Sequence, residues 1–199
     1  MKKLNLSKAI AALKNGKVIV YPTDTLYGLG ADIFNDEAVK KVFKIKKREK
    51  TNALPIAVAD VNELEKIAFV DDKSRCLIKA FLPGKLTVVL KKKNIVSDLV
   101  TGGSDNVAIR IPDNKIALYL LSNFGPLTAT SANIHGKKTP VNIIDINIQF
   151  KSSDIAVYID NGILDGVPST IVDMTQEPFK IIRKGSITVK QIMDAISYE

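Results

Sequence analysis

The sequence predicts a mixed α/β fold, a twisted β-sheet covered by helices, from three observations. Short apolar runs recur along the whole chain, at 18–21, 54–58, 86–90, 107–111, 155–159, 170–172 and 180–182. Between most of them lie segments with helical spacing of apolar residues and recognisable cap signals, the interleaving that marks an α/β architecture. No internal repeat, low-complexity tract or linker breaks the pattern. With 199 residues, 46% of them apolar, the chain can bury one sizeable core, so a single unit over 1–199 is expected.

In chain order, Ser7 can cap a short helix whose apolar positions include Ile10 and Leu13, with Gly16 ending it. The run Val18 to Tyr21 has the continuous apolarity of a strand buried on both faces. Pro22 ends its pairing, since it lacks a backbone donor and holds Tyr21 extended. Thr23, Asp24 and Thr25 follow at once, and Gly28 and Gly30 close the segment. Small polar groups at the exit of a buried strand admit two readings: side chains capping their own turn, or a ligand cradle of the kind α/β proteins build there.

Asn35 caps the next helix, with Asp36 and Glu37 in its electropositive first turn and Val39, Val42 and Phe43 on its inner face. That helix runs into Lys46, Lys47, Arg48, Glu49, Lys50, Thr51 and Asn52, the densest basic cluster in the chain. Cations at a helix C-terminus are ordinary dipole partners. A basic loop feeding the apolar run 54–58 is equally a place for phosphates. Asp60 and Glu63 form a capping-box pattern. A further helix runs from about Asp72 to Leu82 and stops at Pro83-Gly84. The strand 86–90 exits through three lysines, and Gly102-Gly103 precedes the strand 107–111. Arg110 lies inside that strand, where a guanidinium is either at a solvated edge or buried with an anionic partner. Asp113 caps a helix carrying Ile116, Leu118, Leu120 and Leu121. A short strand from Leu127 opens into Thr130, Ser131 and Asn133, and a C-terminal helix starts near Thr188. The lone histidine, His135, is read as a surface residue.

Composition narrows the function. The segment 1–5 lacks the apolar stretch of a signal peptide, and no run approaches the roughly 18 residues of a bilayer span. The single cysteine, Cys76, cannot form an internal disulfide and is expected to be a buried, inert thiol. One Cys and one His do not supply a zinc ligand set, so a cytoplasmic protein without a metal centre is expected. The net charge of +8 agrees with an anionic partner, nucleic acid or a phosphorylated small molecule, and also with a lysine-rich surface.

Seven segments in order, covering nearly the whole chain, resemble the YrdC family of threonylcarbamoyl-AMP synthases. They are Y-P-T-D-T-L-Y-G-L-G from Tyr21, the K-x-R of Lys46 and Arg48 with Asn52, and L-P-G-K-L-T-V-V-L from Leu82. V-A-I-R-I-P from Val107, T-S-A-N from Thr130, S-T-I-V-D from Ser169 and I-I-R-K-G from Ile181 complete the series. The resemblance implies a twisted sheet with helices around a large concave basic cavity, similar to dihydroxybutanone phosphate synthase. It implies a reaction of L-threonine, bicarbonate or CO2, and ATP to give threonylcarbamoyl-adenylate and pyrophosphate. A separate transferase system passes the threonylcarbamoyl group to ANN-decoding tRNAs, with direct tRNA contact possible.

By the same resemblance, Lys46 and Arg48 act catalytically and hold the ATP phosphates with Arg183. Asn52, Asn106, Ser131, Asn133 and Thr139 hydrogen-bond the nucleotide. Arg110 pairs with the threonine carboxylate, and Thr25, Ala57, the backbone at Ala129, and Ser169 complete the amino-acid pocket. Mg2+ is expected through the ATP phosphates. Three positions depart from the family pattern: Glu49 stands where proline is frequent, Ala57 where many members carry histidine, and Asn106 where threonine or serine is usual. The competing readings are a YciO-like or RNA-binding paralogue that makes no adenylate, and a carbamoyl-transfer module like that of hydrogenase maturation. The absence of aromatic residues among the basic ones disfavours RNA binding.

Overall fold

Two mixed β-sheets, rather than the one expected, form the frame of the protein; the computed structural model describes residues 2–151 and 154–197. Met1, at the head of the segment read for a leader, lies outside them. The chain begins with α1 (Lys2–Lys14), β1 (Val18–Pro22), β2 (Tyr27–Gly30), α2 (Asp36–Lys46), β3 (Ile56–Ala57) and α3 (Val61–Ile67). It continues through α4 (Asp72–Phe81), β4 (Leu86–Lys91), α5 (Asp98–Thr101), β5 (Asn106–Arg110), α6 (Lys115–Phe124), β6 (Leu127–Thr128) and β7 (Thr130–Ser131). α7 (Ile143–Phe150), β8 (Ile155–Tyr158), β9 (Thr170–Asp173), β10 (Lys180–Arg183) and α8 (Val189–Ile196) complete it.

One sheet has the order β7-β2-β1-β8 and the other β10-β9-β4-β5-β3-β6. The chain crosses between them at Ala129, which separates β6 from β7 and donates its N–H to Pro55 O at 2.7 Å. A larger apolar cluster packs Val18, Val20 and Leu29 with α2 and the inner face of the six-stranded sheet. A second gathers Ile19, Tyr21 and Ala57 with the buried side of α6. Burial of this extent is the main stabilising contribution to such a fold.

Local signals explain most boundaries. Asn35, Asp60, Asp71 and Thr188 each accept a backbone N–H of the helix they precede. Three expectations are corrected. α1 begins five residues before Ser7, which therefore sits mid-helix, because Lys, Leu and Asn are tolerated in a helix that packs on the rest of the fold. Asn114, not Asp113, caps α6, accepting from Ile116 and Ala117 N–H. Cys76 is half-buried rather than buried.

The segment after Pro22 is not a loop closed by two flexible glycines. It is a hairpin, with Tyr21 opposite Gly28 and Ile19 opposite Gly30. The Tyr21 ring lies across β2, and a Cβ on Gly30 would meet it at 2.9 Å. The glycines are needed for close approach, not for a left-handed backbone.

Candidate functional site

A cavity of about 540 Å³ opens where the two sheets meet. Strand directions explain its composition. β4 runs parallel to β9 and antiparallel to β5, so the start of β4, the start of β9 and the end of β5 share one end of the sheet. β10 returns antiparallel beside β9 and brings its last residue, Arg183, level with Ile171. Thr87, Arg110, Ser169 and Arg183 therefore converge although they are far apart in sequence, and all four line the cavity.

Arg110 settles the choice left open by sequence: it is buried, 5% exposed, and paired. Its Nη2 donates to Asp24 Oδ1 at 2.5 Å and to Gly84 O at 3.2 Å, and its Nη1 donates to Thr25 Oγ1 at 3.2 Å. Burial lowers the guanidinium pKa and the Asp24 carboxylate opposes that shift. Arg110 Nε and Asp24 Oδ2 are buried without a hydrogen-bond partner. Thr25 is fixed in turn by Thr23, whose hydroxyl lies 3.1 Å from it and donates to Leu26 O at 2.6 Å.

Beside this pair, Arg183 donates from Nε to Ser169 O and from Nη2 to Ser169 Oγ, both at 3.0 Å. Ser169 Oγ also lies 2.8 Å from Thr87 Oγ1. Burial, and then the charge on Arg110, lower the Arg183 pKa. A guanidinium whose charge is disfavoured by a second one beside it marks a spot that favours an anion.

On the opposite wall, Lys47 closes α2 in the left-handed conformation, φ 51°, and turns the chain so that Arg48 faces the cavity. Arg48 donates to Asn52 O at 3.1 Å and to Ala53 O at 2.8 Å. Ser131, Thr139 and Ala129 complete that wall, and Asn106 lines the far end, donating to Thr175 Oγ1 at 3.1 Å.

Of the residues expected at the site, Thr25, Arg48, Asn106, Arg110, Ala129, Ser131, Thr139, Ser169 and Arg183 are brought together. Four are not on the cavity wall. Asn52 is exposed, and its carbonyl is what meets Arg48. Ala57 is wholly buried in the second core cluster, in register beside Arg110 on β5. Asn133 is 8% exposed and spends its amide on Ile134 O and Lys137 O, while its Oδ1 accepts from Ser131 Oγ at 2.6 Å. Lys46, expected on the phosphates, is 2% exposed and turned inward, because the last turn of α2 packs against the T-S-A-N loop. Its Nζ donates to Ser131 O at 2.5 Å and Asn133 O at 2.8 Å. Burial, reinforced by the charge of Arg48, presses its pKa down to about 7.

Thr23, read in the sequence as either a turn cap or part of a ligand cradle, lines the wall; sequence reasoning missed Thr87 and Asp173 as wall residues, and Asp24 as the partner of Arg110. Asp24 had a signal: a carboxylate at the exit of a buried strand needs a cation. Among the described residues no group of His, Cys, Asp and Glu is placed to hold a metal ion, and no helix is long and apolar enough to cross a membrane.

The family model named Sua5/YciO/YrdC, described as Telomere recombination, matches residues 11–185. The putative threonylcarbamoyl-AMP synthase of Methanocaldococcus jannaschii is 41% identical over 179 residues, covering 89% of this chain and 84% of that protein. The solved structure of Pyrococcus abyssi Sua5 complexed with L-threonine superposes with a TM-score of 0.92 at 37% identity, over 99% of this chain and 58% of that one. The crystal structure of E. coli YciO gives a TM-score of 0.87 at 29% identity, over 96% and 94% of the two chains. The chain spans 56% and 55% of the threonylcarbamoyl-AMP synthases of P. abyssi and Bacillus subtilis, about half their length.

Proposed function

The chain belongs to the Sua5/YciO/YrdC family, and on that premise we propose that it is an L-threonylcarbamoyladenylate synthase, with residues 1–199 acting as one YrdC-like unit. It joins L-threonine, bicarbonate or CO2, and ATP. The threonine amine adds to CO2, and an oxygen of the resulting carbamate attacks the α-phosphorus of ATP. The bond from the α-phosphorus to the bridging oxygen breaks, and pyrophosphate leaves. Such a transfer needs placement and neutralised charge more than covalent help.

The observation that carries this reading is the convergence of Thr25, Arg48, Arg110, Ser131, Ser169 and Arg183 on one cavity. Arg110, Thr25 and Ser169 suit an amino acid: a guanidinium fork for the carboxylate and hydroxyls around it. The backbone at Ala129 borders the same pocket. Arg48 and Arg183 suit the triphosphate, with Ser131, Thr139 and Asn106 toward the nucleotide. Mg2+ enters as MgATP, held through the phosphates. The product serves threonylcarbamoyl transfer to ANN-decoding tRNAs in the cytoplasm, through a separate transferase system; direct contact of tRNA with the basic surface belongs to the same reading.

One observation favours a second reading, a YciO-like protein that makes no adenylate: the fold superposes on E. coli YciO with a TM-score of 0.87. Pyrophosphate release decides between them. Release that requires threonine, bicarbonate and ATP together is expected. Nucleotide or tRNA binding without such release would assign the protein to the second reading.

A further inference from the structure

The K-x-R segment sends its two cations in opposite directions. Arg48 reaches the cavity, whereas Lys46 lies beneath the wall and is not part of the lining. The Lys46 ammonium has three oxygens around it, Ser131 O, Asn133 O and, at 3.4 Å, Asn133 Oδ1. An ammonium carries three N–H donors, so these acceptors account for its whole capacity. The same residue is tied a second time, through its backbone: Lys46 O accepts the N–H of His135 at 2.8 Å. Lys46 thus grips the loop on both sides of Asn133. The rest of the loop is held by Ser131 Oγ to Asn133 Oδ1, by Asn133 Nδ2 to Ile134 O and Lys137 O, and from outside by Tyr27 O, which accepts from Ala132 N–H at 2.8 Å, and Gln149 Oε1, which accepts from Ile134 N–H at 2.7 Å. Thr130 and Ser131 of this loop form the wall of the cavity, and Thr139 follows it.

We propose that Lys46 is a positioning residue, whose buried ammonium fixes the Ser131–Asn133 loop to the end of α2 and so shapes the nucleotide wall, rather than a ligand of the triphosphate. This rests on the cavity being the nucleotide site. An interior donor satisfied by main-chain carbonyls cannot leave without stranding them, so it is costly to redirect toward a phosphate. The geometry also gives a reason for the one-residue spacer: Lys47, in the left-handed conformation, lets one cation go under the wall and the next go over it.

The test is Lys46→Met, which keeps the length of the side chain and removes its donors, with Lys46→Arg as the variant that restores them. Affinities for ATP and for adenosine are measured against salt, together with amide hydrogen exchange of segment 130–137 in the ligand-free protein. A positioning role predicts that Lys46→Met loses about tenfold in affinity for both ligands, with the salt dependence of ATP binding unchanged. It also predicts at least tenfold faster exchange in 130–137, and partial recovery of both in Lys46→Arg. Loss confined to ATP, with a flatter salt dependence and unchanged exchange, would overturn it, since removing a phosphate-binding charge has that signature. If Lys46→Met does not fold, the wild-type protein decides: saturating ATP leaves the Lys46 Nζ resonance in place if it is a brace and shifts it if it touches phosphate. The exchange measurement uses no catalytic turnover. A protein with protected 130–137 but no pyrophosphate release would therefore refute the synthase reading and leave the brace standing.

Discussion

Arg110 and Lys46 are both cations buried beside one cavity, yet their surroundings differ in kind. Arg110 faces a carboxylate, Asp24, within a salt bridge whose side chains are both 7% exposed. Lys46 faces carbonyl and amide oxygens only. A buried charge with a counter-ion keeps its ionisation and its orientation, and a guanidinium held on one side still has edge to offer a ligand. A buried ammonium without a counter-ion titrates near neutrality, and its use is as a donor to the backbone. The first arrangement suits recognition of an anion, the second suits construction of a wall.

Substitutions can break this contrast, beginning with the largest effect. Arg110→Ala leaves Asp24 buried without a counter-ion and is expected to cost about 3–5 kcal/mol of stability by denaturant titration. In the folded fraction, the KM for threonine should rise more than the KM for ATP; the opposite ordering would remove Arg110 from the amino-acid end. Asp24→Asn keeps an oxygen acceptor but not the charge, so a smaller loss of about 2–3 kcal/mol is expected, with weaker threonine binding. Unaltered threonine binding in this variant would mean that Arg110 does not depend on its partner for orientation.

The pH dependence of stability sharpens the other side. Burial holds the folded-state pKa of Lys46 at about 7, below its ordinary value of 10.5. Between those values the unfolded chain binds the proton that the folded chain has released, so stability rises with pH across that window. A gain of about 2 kcal/mol from about pH 7 to about pH 9 is expected in wild-type protein, and a flatter profile in Lys46→Met. Equal slopes in the two proteins would show that Lys46 is not the group responsible. The smallest effect is expected for Ser169→Ala, which removes one acceptor from Arg183 and one contact with Thr87. That should cost about 1 kcal/mol and raise the threonine KM without changing the pH profile.

Much of this was legible in the sequence because it depends on local chemistry. Caps at Asn35, Asp60 and Thr188, and the apolar runs of β4, β5, β9 and β10, follow from side chains competing for nearby backbone groups or from simple periodicity. What escaped depends on partners distant in the chain. Gly28 and Gly30 close the segment in sequence, but the Tyr21 ring that lies across them comes from the paired strand. The strand that opens at Leu127 divides between two sheets at Ala129, where the N–H pairs with Pro55 O, a partner far off in the chain. α7 carries apolar side chains outward, with Ile144 and Ile148 exposed, so its periodicity gave no helix. Lys46 and Arg48 are two residues apart and chemically alike, and only the packing of α2 against the loop distinguishes them.

The central claim is that one cavity holds an amino acid and a nucleotide side by side, and a crystal structure with L-threonine and a non-hydrolysable ATP analogue bound tests it most directly. The expected result places the threonine carboxylate on Arg110 and Ser169 and the triphosphate on Arg48 and Arg183, with the carbamate-forming amine facing the α-phosphorus. Ligands bound on separate surfaces, or a triphosphate held by residues outside the cavity, would contradict it.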